Sequence, residues 1–550
     1  MKLLTIITLF VPLISADIFP LSIIHINDFH ARFEPTDTSG GTCDAGEECI
    51  GGLARTIYTV KRLLEEQKDQ NPVYFNAGDS FQGTLWYNIG RWNVTSQFLN
   101  MLPADAMTLG NHEFDHGIEG VVPFLESINS PMLVANMDAR DEPDMQGKYQ
   151  KSIIIERSNR KIGVIGVILE TTYDLANTGN LIFQNESTAI REEAQKLREQ
   201  GANIIIAITH CGYDVDKLIA QHAADDVDVI VGSHSHTFLY TGDKLPGPDT
   251  PYGPYPTEVV HENGHRILIV QAAAYAKYVG NITVYFDDDG NVVDYSGAPI
   301  YMGSSVPEDE EVLKLRQIWA TNITTEGNVV VGTSRVTLPN YNCAHSECNI
   351  GNLYTDAILH AFLRLEPYNT NKWANASIAI TTSAEMRASI RRGNVTYKEA
   401  FELCSYEGDL IAFELTGKYL LEALEYSVSS IDLENNVNET YKFLHSSGIR
   451  VTYDLRAAKE NRVVSAEVRC TDCAIPFYEP LSPNKTYRIV AAKYVATGGY
   501  GYSMFANYGS SRNTLPVNEL TALIDYFKVE NPIIMGLQGR IKLVQINKNF

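Results

Sequence analysis

Two alternating patterns organise the first half of the chain. Short, mostly apolar runs at Leu21–Ile26, Val73–Ala77, Ala106–Leu109, Met132–Ala135, Ile162–Leu169, Ile204–Thr209 and Val227–Val231 read as buried strands. Between them, Leu53, Ile57, Val60 and Leu64 recur at helical spacing. Strand and helix patterns in alternation predict α/β layering. After a loop rich in Pro, Gly and Tyr at Leu245–Thr257, strands resume at Arg266–Gln271 and Asn281–Phe286 and end in the Asp287-Asp288-Asp289-Gly290 turn. Residues Pro307–Thr321 begin acidic (Glu308, Asp309, Glu310, Glu311) and continue with Leu313, Leu315 and Ile318. Acidic side chains in the first turn suit the helix dipole, so this stretch predicts a linker helix over 306–325. A second α+β pattern follows from about Gly327. The expected domains are therefore 17–305 and 326–550, preceded by a segment at 1–16.

Composition narrows this picture. At about 100–200 residues per domain, 550 residues allow two to four domains; the patterning favours two. Lys and Arg number 44 and Asp and Glu 67, giving 44 − 67 = −23. So acidic a chain has no basic face for nucleic acid, although bound cations can still supply positive charge locally for a small phosphorylated molecule. The segment at 1–16 pairs one basic residue, Lys2, with an apolar run from Leu3 to Ile14 and ends Ser15-Ala16. It is too short to span a bilayer and reads as a cleaved secretory signal. The polar C-terminal stretch Leu543–Phe550 lacks the hydrophobic tail of a GPI signal, so no membrane anchor is expected. Eight N-x-S/T sequons, at Asn93, Asn185, Asn281, Asn322, Asn375, Asn394, Asn438 and Asn484, fit a secreted, extracellular glycoprotein. Six cysteines form close sequence pairs, Cys43/Cys49, Cys343/Cys348 and Cys470/Cys473, which read as small disulfide loops in an oxidising compartment. Cys470 and Cys473 could instead form a redox or metal pair, but no second CxxC completes a zinc site. Cys211 and Cys404 are left over.

Candidate chemistry gathers where the early strands stop. Asn27-Asp28-Phe29-His30 follows the first run, Gly78-Asp79-Ser80 the second, and Gly110-Asn111-His112-Glu113-Phe114-Asp115 the third. His210 follows Ile204–Thr209, and Gly232-Ser233-His234-Ser235-His236 follows Val227–Val231. A single Asp after a strand is usually a turn or cap residue, and a single His an ordinary polar residue. Five such loops in register are another matter, because the carboxyl ends of strands in an open α/β sheet form its ligand crevice. Converging carboxylate, amide and imidazole groups point to a pair of divalent ions. Gly78, Gly110 and Gly232 would allow the close turns this needs.

These segments, with His25-Ile26-Asn27-Asp28-Phe29-His30 and Asn76-Ala77-Gly78-Asp79-Ser80-Phe81-Gln82-Gly83, resemble the dimetal calcineurin-type phosphoesterases and, more narrowly, the 5′-nucleotidase/apyrase family over residues 20–540. The resemblance implies a four-layer α/β/β/α metallophosphoesterase domain, a linker helix and a C-terminal α/β substrate-binding domain. By position, Asp28, His30 and His236 resemble the ligands of one metal, Asn111, His210 and His234 those of the other, and Asp79 the bridge. His112 with Asp115 resembles the family's catalytic dyad, and Arg32 is a candidate for holding phosphate. Zinc is the first expectation, with calcium, magnesium or manganese as alternatives; the imidazoles favour transition metals over calcium.

The second half keeps less of the family pattern. Ala344 stands where an arginine is usual, Thr382-Ser383-Ala384-Glu385-Met386-Arg387 keeps only Arg387 of the phosphate-binding motif, and Tyr500 replaces the ribose-binding Asp. Tyr406 and Tyr494 occupy the base-stacking positions. The departures predict weaker nucleotide affinity or a displaced binding mode, with the metal centre intact. The resemblance implies an apyrase that converts ATP and ADP to AMP and phosphate, like the salivary enzymes that suppress platelet aggregation by clearing ADP. The alternatives are a soluble 5′-nucleotidase acting on AMP, or a binding protein that retains the fold and blocks haemostasis at a host receptor. Oligomeric state is left open.

Overall fold

A computed structural model describes residues 18–43, 46–222, 226–367, 372–404, 407–431 and 441–544. The expected signal segment at 1–16, Tyr406 and the Asn438 sequon lie outside them. The chain divides into two compact units, Met1–Trp319 and Ala320–Phe550. The division falls inside the helix Glu310–Gly327, which lies later at both ends than the expected Pro307–Thr321. Its start is set by Asp309, whose Oδ1 accepts the N–H groups of Glu311 and Val312 as an N-cap.

In the first unit nearly every predicted apolar run forms a strand. These are β1 (Phe19–Ile26), β2 (Val73–Asn76), β3 (Ala106–Met107), β4 (Ser152–Arg157), β5 (Arg160–Ile168), β6 (Ile204–His210), β7 (Val229–Val231), β8 (Thr257–Val260), β9 (Arg266–Val270), β10 (Tyr278–Phe286) and β11 (Val292–Gly297). One sheet has the order β11-β10-β1-β2-β3 and the other β8-β9-β7-β6-β5-β4. Strands β1, β2 and β3 are parallel, as are β5, β6, β7 and β9. Leu21, Ile23, Val73 and Phe75 of the first sheet share one buried cluster with Val164, Val167, Ile206, Ile208, Val231 and Leu268 of the second. A helix at Leu53–Glu66 packs on the first sheet, burying Leu53, Ile57, Val60 and Leu63, with Leu64 half-buried at its margin. Helices Glu186–Glu199 and Tyr213–His222 pack on the second. The order of layers is α/β/β/α.

Met132–Ala135 is the exception, buried as predicted but not a strand. Leu133 N–H bonds to Met107 on the edge of the first sheet, Val134 N–H to Gln150, and Ala135 N–H to Gly166 in the second. The segment divides its hydrogen bonds between the two sheets and so belongs to no ladder. It also explains Gly166, where a Cβ would lie 2.0 Å from the Leu133 carbonyl oxygen.

The second unit has a five-stranded sheet in the order Leu444–Ser447, Ile378–Thr382, Thr486–Ala492, Asp409–Thr416, Ser510–Asn518, and a separate four-stranded sheet. Helices Asn349–Leu365 and Glu519–Val529 pack against each other. All three short cysteine pairs are disulfides, while Cys211 and Cys404 are free and buried. Among the described residues no helix is long and apolar enough to cross a membrane. Sequons Asn93, Asn185, Asn322, Asn394 and Asn484 are exposed, and Asn281 and Asn375 half-buried.

His445 lies under the Cys343–Cys348 loop, its Nε2 donating to the Cys343 carbonyl at 2.8 Å and its ring 3.7 Å from the Cys348 sulfur. Burial lowers its pKa to about 4. An unfolded chain protonates this side chain near pH 6.5, so folded stability falls as the pH drops from 6.5 towards 4 and levels off below. The contribution is on the order of 3 kcal/mol. His445→Gln keeps an N–H donor without the titration. Scanning calorimetry is expected to show a smaller loss of Tm between about pH 6.5 and 4.5 in the variant than in the wild type; equal losses would refute the assignment.

Candidate metal centre

Register brings the loops together. Ile26 pairs with Asn76, and Asn76 with Met107, so β1, β2 and β3 end level. Backbone bonding continues past the strands: Asp28 N–H to Gly78, His30 N–H to Asp79 and Ala31 N–H to Ser80. The chain then turns sharply. Asp28, His30, Asp79, His234 and His236 all have positive φ, between 48° and 73°. Non-glycine residues rarely adopt this conformation, and such strain persists only where the surroundings enforce it. Gly78 has φ 87°. A Cβ on Gly110 would lie 2.0 Å from Asp79 Oδ1, and one on Gly232 2.1 Å from Asp216 Oδ2. The three glycines thus meet the expectation of close backbone approach.

Two clusters result, Asp28/His30/Asp79/His236 and Asp79/His210/His234, with the donor atoms of each group within 4.8 Å of one another. Asp79 belongs to both. Its Oδ2 lies 3.1 Å from His210 Nε2 and 3.7 Å from His30 Nε2, and Asp28 Oδ1 lies 3.5 Å from His236 Nε2. His30 Nδ1 donates to the Phe81 carbonyl and His210 Nδ1 to that of Ala77, which turns both Nε2 atoms into the clusters. The Nε2 atoms of His30 and His236 stand 3.0 Å apart. Asn111 is buried and its Oδ1 has no hydrogen-bond partner, an orphaned acceptor of the kind a cation satisfies. Two carboxylates, one amide oxygen and four imidazoles fit two divalent ions.

The electrostatics divide the four imidazoles. Burial lowers His234 to about 3 and His236 to about 4, leaving neutral imidazoles able to act as ligands. His30 is likewise held well below its ordinary value. At His210 burial opposes the charge, but the Asp79 carboxylate overrides it and holds the ring up to about 9. Asp79 is correspondingly held well below the ordinary range, despite its own burial, by His210 and His112. Asp28 rises to about 7 through burial, with a further push from Asp79. The same two causes push Glu113 upward, against the pull of backbone N–H partners that suit only its ionised form.

His112 donates no ligand atom to either cluster. Its Nδ1 lies 2.7 Å from Asp115 Oδ2, and Gln82 Nε2 donates to the same oxygen at 3.0 Å. The His112 ring packs 5.1 Å from that of His30. Arg32 is buried, and its guanidinium donates to the carbonyls of His30 and Gly40 and lies 4.1 Å over the Tyr275 ring, bracing the His30 loop.

In the second unit Arg387 is exposed, with its N–H bonded to the Leu403 carbonyl. Tyr494 is 54% exposed, its ring 5.0 Å edge-on from that of Tyr500. Tyr500 sits in left-handed backbone at φ 55°. Ala344 and Thr382 are buried. Of the two predicted stacking residues, only Tyr494 lies among the described residues.

Sequence reasoning assigned no role to Asn27 or Ser233. Asn27 Nδ2 donates to Asp28 Oδ2 at 2.8 Å and its Oδ1 accepts the Ala272 N–H. Ser233 Oγ lies 2.7 Å from His210 Nδ1 and 2.8 Å from the Thr209 carbonyl. Both adjoin predicted ligands in the chain, and that adjacency was the available signal.

Comparison with known proteins agrees with this geometry. Residues 21–238 match the calcineurin-like phosphoesterase family and residues 330–507 the 5′-nucleotidase C-terminal domain. An apyrase of Tabanus yao is 45% identical over 535 residues, spanning 96% of this chain and 94% of its own. A 5′-nucleotidase-related protein of Glossina morsitans morsitans is 46% identical over 534 residues, spanning 96% and 95%. The crystal structure of a 5′-nucleotidase precursor from Thermus thermophilus superposes with a TM-score of 0.70 at 31% identity, covering 96% of this chain and all of that one. Fold and site are those of a two-domain dimetal phosphohydrolase. The chain belongs to the 5′-nucleotidase/apyrase family.

Since His112 holds no ligand atom, His112→Ala is expected to lower kcat by about 10²–10⁴ with metal content unchanged. Steady-state kinetics with elemental analysis of the same preparation checks this; loss of metal would move His112 into the ligand set.

Proposed function

We propose that this chain is a secreted apyrase, removing the terminal phosphates of ATP and ADP to leave AMP. The observation that carries the reading is the pair of buried clusters sharing Asp79, placed beside the His112–Asp115 dyad. Near-full-length identity to an apyrase supports the choice of substrate. Asp28, His30 and His236 would hold one ion and Asn111, His210 and His234 the other, with Asp79 between them. The ions would supply Lewis-acid charge and lower the pKa of water at the phosphoryl group.

The remaining work falls to side chains. Asp115 and Gln82 fix the His112 ring with its Nδ1–H towards Asp115. Its Nε2 is then the atom that can hydrogen-bond the developing negative charge or hand a proton to the departing phosphate oxygen. The exposed Arg387 and Tyr494 supply a guanidinium for phosphate and a ring face for the base. An apolar segment at 1–16 and exposed sequons support passage through the secretory route. Removal of extracellular ADP would suppress platelet aggregation, the role expected of a salivary protein.

The 5′-nucleotidase name of relatives keeps AMP as the second candidate substrate. Phosphate release from ATP, ADP and AMP, measured on chelator-stripped and metal-restored protein, decides between them. The expected outcome is release from ATP and ADP, abolished by stripping and restored by divalent ions. Release from AMP alone would make the protein a soluble 5′-nucleotidase. Full inhibition of aggregation by His112→Ala would identify a binding protein instead.

A further inference from the structure

We propose that Glu113 is a positioning residue for the metal centre, its buried carboxylate fastening the loop that carries Asp79 to the loop that carries Asn111. Glu113 is 1% exposed and contributes no atom to either ligand cluster. Its Oε1 accepts the Ser80 N–H at 2.7 Å and the Phe81 N–H at 3.1 Å, and its Oε2 accepts the Asp79 N–H at 3.1 Å and the Gly110 N–H at 2.6 Å. One side chain thus accepts from four main-chain donors. Three lie in the loop after β2 and one lies just before Asn111.

The arrangement answers a local problem. The left-handed turn at Asp79 takes the N–H groups of residues 79–81 out of any strand ladder, in a region closed to water. Buried N–H groups without acceptors are costly. A carboxylate offers about four lone-pair sites on two oxygens, and here all four are used. Its bonds span the two loops, so the separation between Asp79 and Asn111 depends on its length and charge. A second link, from the His112 N–H to Asp79 Oδ1 at 3.0 Å, runs between the same loops. Gly110 permits the approach, since any Cβ there would strike Asp79. Glutamine cannot replace the carboxylate, because its NH₂ group would face two N–H donors.

Changes to groups that orient metal ligands typically cost 10–100-fold in metal affinity or activity. This inference rests on reading the two clusters as a metal centre, and the experiment separates the two ideas. Mn²⁺ is titrated calorimetrically into chelator-stripped wild type, Glu113→Gln and Glu113→Asp, and kcat and KM are measured on the reloaded proteins. Wild type is expected to bind two ions. Glu113→Gln is expected to bind them about 10–100-fold more weakly, with kcat reduced and KM for nucleotide little changed. Glu113→Asp, which keeps the charge but shortens the reach, is expected to fall between.

Wild-type affinity in a folded Glu113→Gln protein overturns the proposal, even if its Tm is lower. No binding by wild type overturns the metal reading, and this inference with it. Should neither variant fold, hydrogen exchange on wild type still decides. The amides of Asp79, Ser80, Phe81 and Gly110 are expected to exchange as slowly as those of β2, and exchange at the rate of exposed loops refutes the role.

Discussion

Everything in the first unit depends on holding like groups together against their own repulsion. Asp28 and Asp79 carry two carboxylates into a region almost closed to water, alongside the rings of His30, His210, His234 and His236. Burial alone disfavours every charged form there; it pushes Asp28 upward, while His210 and His112 hold Asp79 down. Holding such a cluster together requires a backbone that cannot relax away. Level strand ends, left-handed turns at five of the clustered residues and glycines at the closest approaches provide that rigidity.

Rigidity in turn explains the supporting residues. Asn27, Ser233, Gln82, Glu113 and Arg32 each hydrogen-bond to a residue of the two clusters or of the His112–Asp115 pair. Arg32, two residues from His30, donates to the carbonyls of His30 and Gly40 and lays its face on Tyr275. The second unit differs in kind. Its candidate residues Arg387 and Tyr494 are exposed, whereas Asp28, His30 and Asp79 are buried.

The strands, the α/β class and the paired cysteines were legible because each is a short-range pattern. A short apolar run followed by Asp, Asn or His announces the strand and marks the loop after it as a candidate for chemistry. Periodicity fails where burial and ladder membership part company. Met132–Ala135 is as apolar as any strand, but its hydrogen bonds go to two sheets, and only the fold shows that. Helix limits shifted for a similar reason: Asp309 is one acid among several in the sequence, and only its geometry singles it out as the cap.

By itself the sequence determined which residues reach the crevice, because a parallel sheet delivers the loop after each strand to one edge. It also determined the kind of chemistry, because that set of carboxylate, amide and imidazole groups suits divalent ions. The tertiary structure decided what each group is free to do. It assigned Asp79 to both clusters, aimed the Nε2 atoms of His30 and His210 inward, committed Arg32 to carbonyls and gave Glu113 four amides. The reason is physical: a donor's partners are chosen by distances between loops remote in sequence, and no local pattern encodes those distances.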